Sequence, residues 1–266
     1  MISFEKAFGT RTNLTQAGHE RAGFFVQEEL VYRSVSIWII MLIAIILPVA
    51  CGRSPNEAVA PERSYLQGVD VAHYQGHIDW AELAGDDTAF AYIKATEGVS
   101  LIDPRFEDNW AGARRVGLLR GAYHFFTSCQ TGRDQAQHFL AVVPDSDGVL
   151  PPVLDVEQNK PCTDYADTDL PMTDAVTEFL DAVEAERGVR PVIYTNKRFY
   201  NEHFSGSLAH EAYWLRSLNG EPDYGPGSWL FWQYTDKGRR RGISGSVDLN
   251  VFAGNAEKLR ALAGDK

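Results

Sequence analysis

The alternation of apolar and polar residues divides residues 65–200 into short apolar runs separated by amphipathic stretches. The runs have the length and composition of β-strands, and they occupy 68–74, 90–95, 120–126, 151–157 and 191–196. The stretches between them have helical periodicity, most clearly at 103–117, 131–142 and 173–188. Asp103 is a candidate N-cap before Pro104, and Gly188 is a candidate helix C-terminus. Strands that alternate with helices in this way predict a parallel sheet.

The pattern changes after residue 212. Strand-like runs at 212–218, 228–235 and 246–252 follow one another through connections that are rich in Gly, Pro and Arg and have no helical period. The chain therefore predicts an α/β fold of about five β/α units followed by three strands that lack regular helices. Eight strands can close a barrel, so we expect an irregular TIM-like barrel. A doubly wound open sheet is the alternative, although no GxGxxG follows the first strand.

The N-terminal region differs from the rest of the chain. Residues 37–50 form an apolar run with the length of a signal-peptide core, shorter than the about 20 residues of a membrane span. The letters LPVAC resemble a lipoprotein cleavage box in which Cys51 would carry the lipid; an uncleaved anchor or plain secretion are the alternatives. We therefore expect an N-terminal extension and signal segment at 1–51, a linker at 52–64 and a catalytic barrel at 65–266, exported to the cell envelope.

Cysteine content and charge agree with export and limit the partners. With Cys51 lipidated, Cys129 and Cys162 remain, each close after a predicted strand, and an oxidising compartment would let them form a disulfide; two free thiols are the alternative. The formal net charge of −11 argues against a nucleic-acid partner, which would require a basic face. The basic run 237–241 is typical of a solvated loop.

Four acidic residues lie in predicted strands between apolar neighbours: Asp70, Asp155, Glu157 and Asp248. In a barrel of parallel strands, catalytic groups cluster where the strands end. Asp155 and Glu157 are two positions apart, so their side chains project to the same side of the strand. Mutual repulsion and partial burial should keep one carboxyl protonated and the other ionised, and we expect Glu157 to be the proton donor beside an ionised Asp155. Such a pair can hydrolyse a glycosidic bond.

Aromatic residues near the predicted strand ends suggest a sugar ligand. The set comprises Tyr74, Tyr123, Phe125, Tyr194, Trp232 and Tyr234. Each one alone is more typical of barrel core, but together they favour a groove whose aromatic faces stack on sugar rings.

Several segments carry a resemblance to a known family. They are GVDVAHYQGHIDW (68–80), AYIKATEG (91–98), GAYHFF (121–126), PPVLDVE (151–157), FWQYT (231–235) and VDLNVF (247–252). In this order, over about residues 66–254, the chain resembles glycoside hydrolase family 25. The resemblance implies an irregular barrel and a lysozyme that hydrolyses the β-1,4 bond between N-acetylmuramic acid and N-acetylglucosamine in peptidoglycan. We expect a monomer that needs no cofactor and no metal.

The resemblance also implies roles for particular residues. Glu157 would be the general acid, and Asp155 would steady the reacting sugar through its acetamido group or its oxocarbenium centre. Asp70 and Asp248 would shape the electrostatics, while Tyr74, Tyr123, Tyr194 and Trp232 would contact substrate. The chain departs from the family at WLRSLNGEP (214–222), where Arg216 is unusual.

Two other functions compete with this interpretation. A metal-dependent hydrolase could use Asp70, Asp155, His73, His77 and His124 as ligands, although their spacing does not require them to converge. A barrel that binds peptidoglycan without cutting it is the second alternative, and the presence of all four acids argues against it.

Overall fold

The computed structural model describes residues 61, 64–128, 130–158 and 171–264. The predicted signal segment and nearly all of the linker lie outside the described residues, as do Cys51, Cys129 and Cys162. Lipidation and disulfide formation therefore stay predictions. No helix among the described residues combines the length and the apolar character needed to cross a membrane.

Eight strands close a barrel, which confirms the predicted fold class. With the short β3, which lies outside the ring, the described residues form nine strands: β1 (Leu66–Val71), β2 (Phe90–Glu97), β3 (Leu101–Ile102), β4 (Leu119–Phe125), β5 (Val153–Asp155), β6 (Val192–Asn196), β7 (Tyr213–Arg216), β8 (Phe231–Gly238) and β9 (Val247–Phe252). The order around the barrel is β1-β2-β4-β5-β6-β7-β8-β9, and β9 pairs back onto β1. The two-residue β3 pairs only with β2, in an antiparallel hairpin. Because β1 pairs on both sides, the open-sheet alternative is wrong.

Strand direction differs from a regular parallel barrel at one place. The barrel strands from β1 to β8 run parallel to one another, whereas β9 is antiparallel to both β8 and β1. The parallel direction predicted for the barrel strands is therefore wrong for β9. The reversal brings the start of β9 to the edge where the other strands end, so Asp248 still reaches that edge from the second position of its strand.

Helices follow each of the first five β-units, as predicted. They are α1 (Trp80–Ala84), α2 (Phe106–Arg115), α3 (Gly132–Val142), α4 (Met172–Arg187) and α5 (Lys197–Phe199), with α6 (Ala256–Leu262) after β9. A π-helical turn, Tyr200–Phe204, continues α5. In the described part of the chain, the segments that join β7, β8 and β9 contain no helix.

The amphipathic pattern accounts for α4 but not for the start of α2. The predicted apolar face of α4 is wholly buried, and it consists of Ala175, Val176, Phe179, Leu180 and Val183. Gly188 adopts φ 68°, a left-handed conformation that ends α4 at low cost. Asp103, predicted as an N-cap, instead accepts the backbone N–H of Arg105 at 2.9 Å and closes a turn, and α2 begins only at Phe106.

Apolar side chains form one layer outside the barrel wall and a second inside it. The outer layer packs the strands against the helices, for example through Ile93, Leu154 and Phe179. The inner layer is an aromatic plug that contains Phe90, Tyr92, Trp214 and Phe231. Gly68 and Gly121 make room for it, since a Cβ atom at either position would overlap the rings of Phe90 and Tyr92 respectively. The plug fills the barrel interior and leaves the strand ends as the place for a site.

Candidate active site

The four predicted acids lie together at the barrel mouth, above the aromatic plug. Asp70 and Asp248 are direct partners across β1 and β9. Asp155 ends β5, and Glu157 follows it by two residues. The charges of Glu157, Asp70 and Asp248 all act on the Asp155 carboxyl, which shows their proximity. The site therefore gathers carboxyls from strands far apart in sequence.

Asp70 and Asp248 form a pair bridged by amides. The Gln233 side-chain amide donates to Oδ2 of Asp70 at 3.2 Å and to Oδ2 of Asp248 at 3.1 Å, and the Asn250 amide donates to Oδ2 of Asp70 at 2.7 Å. Burial raises the pKa of Asp70 despite these hydrogen bonds. Burial, together with the charge and hydrogen bond of Asp70, raises the pKa of Asp248 to about 9. The pair therefore holds a proton at neutral pH.

The raised pKa of Asp248 predicts how the stability of the protein depends on pH. Because the folded pKa of Asp248 lies above its unfolded value, its contribution to stability is present at acid pH and is lost as pH rises through about 9. Asp248→Asn keeps the shape and removes that loss, so the free energy of unfolding should rise by about 0.5–2 kcal/mol at alkaline pH and less at about pH 5. Urea unfolding at both pH values checks this, with the exposed Asp147→Asn as control. Equal destabilisation at both pH values would contradict it.

Asp155 differs from the sequence-based expectation. Its pKa lies well above the usual range because of burial first, and then because of the charges of Glu157 and Asp70; Lys94 opposes the shift. Its Oδ1 atom is buried and has no hydrogen-bond partner among the described residues. Burial and the surrounding acids therefore oppose ionisation of Asp155, contrary to the expectation that it is the ionised member of the pair.

Glu157 is half-buried, immediately beyond the end of β5. The Asn196 side-chain amide donates to Oε2 of Glu157 at 3.3 Å and to Oε1 of Gln158 at 3.0 Å. Asn196 is the last residue of β6, the strand next to β5. The neighbouring strand thus holds one carboxylate oxygen of Glu157 and fixes the direction in which the other can point.

Two of the four predicted aromatic contacts, Tyr123 and Tyr194, lie near the acids. Burial raises the pKa of the Tyr123 hydroxyl, and the nearby charges of Asp70, Asp155 and Asp248 raise it further. Tyr194 is buried, and its hydroxyl donates to Oε1 of Gln233 at 2.9 Å, so it supports the site from below. By contrast, 79% of Tyr74 is exposed, and its ring lies 3.9 Å from that of His73.

Trp232 does not join the acids. It is 2% exposed and packs in the outer apolar layer, where its indole N–H donates to the carbonyl of Ser217 at 2.8 Å. Side chains alternate along β8, and Gln233 takes the inward position next to it. Trp232 is therefore wrongly predicted to contact substrate at the mouth.

The proposed metal ligands do not converge. His124 lies in the outer layer, where its ring stacks on Phe179 and forms hydrogen bonds with Thr96 and Gln135. His73 binds Oδ2 of Asp103 through Nδ1 at 2.7 Å. Within the described ranges, no group of three or more His, Cys, Asp and Glu side chains is arranged to hold a metal ion.

Sequence reasoning missed the polar residues that hold the acids. Asn196, Gln233 and Asn250 donate hydrogen bonds to the acids, and the charge of Lys94 acts on Asp155; all four lie on strands. Their signal is an uncharged amide or a lone cation between apolar neighbours in a strand, as in FWQYT and DLNVF. Buried polar side chains need partners, so such positions mark hydrogen-bond networks.

The carboxyl pair and the aromatic residues at the mouth of this closed barrel are the groups that a glycoside hydrolase uses. Comparison with known proteins gives the family. The family model described as glycosyl hydrolases family 25 matches residues 69–243. The chain belongs to this family, as the sequence predicted.

Individual relatives agree with the family. The chain is 39% identical to the uncharacterised protein YegX of Escherichia coli O157:H7 over 207 residues, which cover 76% of this chain and 74% of that protein. It is 35% identical to lysozyme M1 of Streptomyces globisporus over 225 residues, which cover 80% of this chain and 76% of that protein. A family 25 glycosyl hydrolase structure from Bacillus anthracis matches with a TM-score of 0.69 and 35% identity, covering 80% of this chain and 100% of that chain.

Proposed function

We propose that Glu157 and Asp155 are the catalytic pair of a peptidoglycan muramidase. The enzyme hydrolyses the β-1,4 bond between N-acetylmuramic acid and N-acetylglucosamine. Family membership and the similarity to lysozyme M1 support the substrate class. The arrangement of the carboxyls at the barrel mouth supports the assignment of roles.

The unpaired oxygen of Asp155 carries the proposal. A buried polar atom without a partner costs free energy, so its persistence calls for an explanation. Oδ1 of Asp155 has no partner among the described residues, and it lies in the acid cluster. The acetamido group of N-acetylmuramic acid carries an N–H donor beside the reacting carbon. We assign Oδ1 as the acceptor of that N–H.

Substrate binding then places the proton where it is needed. When the acetamido N–H donates to Asp155, the hydrogen bond favours the ionised form of this carboxyl and lowers its pKa. Glu157 then carries the proton of the pair. It gives this proton to the leaving oxygen of N-acetylglucosamine, while the acetamido oxygen or Asp155 stabilises positive charge at the sugar carbon. Water completes the hydrolysis and returns a proton to Glu157.

The other acids and aromatics set the environment of this step. The protonated pair of Asp70 and Asp248 limits the negative charge around Asp155. Tyr123 lies within the same cluster and can donate to substrate. Tyr74 offers an exposed ring at the mouth on which a sugar face can stack.

Digestion of purified peptidoglycan tests the function. The enzyme should release glycan fragments whose new reducing ends are N-acetylmuramic acid, identified by borohydride reduction and mass spectrometry. Reducing ends on N-acetylglucosamine would contradict the assigned bond. Binding to peptidoglycan without any new reducing ends would show the binding module instead.

We also propose that the enzyme is exported as a monomeric envelope lipoprotein. The signal-like run 37–50 and Cys51 support the anchor. Strands β4 and β5, which precede Cys129 and Cys162, are neighbours, and this supports a disulfide between those residues. Mass spectrometry of the mature protein should find a lipid-modified N-terminal Cys51 and a bridged pair. A chain that retains residues 1–50, or two free thiols, would refute the corresponding part.

A further inference from the structure

Arg216 lies between the two halves of the acid cluster. It is the last residue of β7 and is directly opposite Asn196 on β6 and Gln233 on β8. Asn196 contacts Glu157, and Gln233 contacts Asp70 and Asp248. Arg216 thus occupies the same layer as the side chains that hold the catalytic carboxyls.

The side chain of Arg216 faces into the barrel. Trp214, two positions earlier, belongs to the aromatic plug, whereas Leu215 belongs to the outer layer. Alternation along the strand therefore turns Arg216 inward. Its charge acts on Asp248 and Tyr194, which agrees with this placement.

Arg216 is a partly exposed cation at the mouth. The charge of Lys94 acts on Asp155, but only 8% of the Lys94 side chain is exposed and its Nζ lies 2.7 Å from Oε2 of Glu97. Arg216 is 32% exposed and donates through Nη2 to Oδ2 of Asp236 at 2.8 Å. The Asp236 carboxyl, 34% exposed, shows that a carboxylate can reach this guanidinium from the solvent side.

We propose that Arg216 selects substrate by binding a carboxylate of the muramic acid unit, an inference that rests on the proposed muramidase function. Peptidoglycan strands carry carboxylates either on the lactyl group of muramic acid or on the attached peptide. Such an anion would be repelled by those carboxyls of the mouth that are ionised. A guanidinium offers several donors in a fixed fork that matches a carboxylate, and only Nη2 is bonded to another described residue.

A two-way comparison of enzyme and substrate tests the inference. Wild type and Arg216→Gln are assayed for kcat/KM on glycan strands and on the same strands with their carboxylates converted to methylamides. Arg216→Gln should lose about tenfold on the native strands and little on the amidated ones. Arg115→Gln removes the same charge from an exposed site at the C-terminal end of α2, and it should change neither value.

Peptide-free and peptide-bearing strands distinguish the source of the carboxylate. A loss confined to peptide-free strands identifies the lactyl carboxylate, and a loss confined to peptide-bearing strands identifies the peptide. Arg216→Lys keeps the positive charge but lacks the forked donors of a guanidinium. It should show a smaller loss on the native strands and little loss on the amidated ones, and it replaces Arg216→Gln in the test if that variant does not fold.

Three results would each contradict a different part of the proposal. Equal losses on native and amidated strands, or a shift of the pH profile that is the same on both, would mean that Arg216 acts only on the site acids. A wild-type enzyme that cuts none of the strands would overturn the proposed function itself. Activity of the wild type without any difference between the two substrates would overturn only the role of Arg216.

Discussion

Glu157→Gln should lower turnover on peptidoglycan by about 10²-fold or more while the protein stays folded. Gln has nearly the same shape as Glu and can still accept the Asn196 amide that contacts Oε2. It has no acidic proton to give to the leaving oxygen. Release of reducing ends measures the activity, and thermal unfolding measures the fold.

Two comparisons make this result specific. Glu186→Gln makes the same change at an exposed position of α4 and should leave turnover unchanged. An aryl glycoside that releases an acidic phenol needs little protonation of its leaving group, so Glu157→Gln should recover much of its rate on it. Full activity of Glu157→Gln on peptidoglycan would remove Glu157 from the role of proton donor.

The positions of the acids could be predicted because strand periodicity carries most of the information. Asp155 and Glu157 follow the i, i+2 rule, and Asp70 lies on the inward positions of β1. The closed barrel and its outer helices also follow from local patterns, as the buried face of α4 shows. These features depend on residues close in sequence.

The remaining features depend on which strands become neighbours. The antiparallel direction of β9 is set by its pairing with β1 and β8, which no local pattern encodes. The bridge from Gln233 to Asp70 joins residues 163 positions apart. Trp232 was wrongly assigned because an aromatic residue in FWQYT suits either face of the barrel wall, and the register that sends it outward becomes visible only with Gln233 inside.

The charge state of Asp155 was likewise beyond the reach of the sequence. Spacing alone shows that two carboxyls meet, but not which one is more deeply buried or left without a donor. The structure leaves Oδ1 of Asp155 unpaired among the described residues and surrounds the carboxyl with acids. Burial and the surrounding acids therefore oppose ionisation of the residue that the proposed reaction requires as an anion, and the proposed hydrogen bond from substrate would favour that ionisation.

Asp155→Asn should lower turnover by about 10²-fold or more without weakening the fold. Asn carries no charge to support the acetamido group or the reacting carbon. Stability should be kept or raised, because the substitution removes a buried carboxyl whose pKa is raised. Thermal unfolding and reducing-end assays on the same preparation check both parts. Lost activity together with lost folding would leave Asp155 with a structural role.

The aryl glycoside separates this variant from Glu157→Gln. Leaving-group acidity replaces the proton of Glu157 but not the charge of Asp155, so Asp155→Asn should stay slow on the activated substrate. A second readout uses a substrate whose acetamido group is replaced by hydroxyl. Wild type should lose most of its rate on this substrate. On the same substrate Asp155→Asn should be little slower than wild type, because the N–H assigned to Oδ1 is already absent. If the losses from the variant and from the altered substrate simply multiply, Asp155 does not act through the acetamido group, and the assignment carried by its unpaired oxygen is wrong.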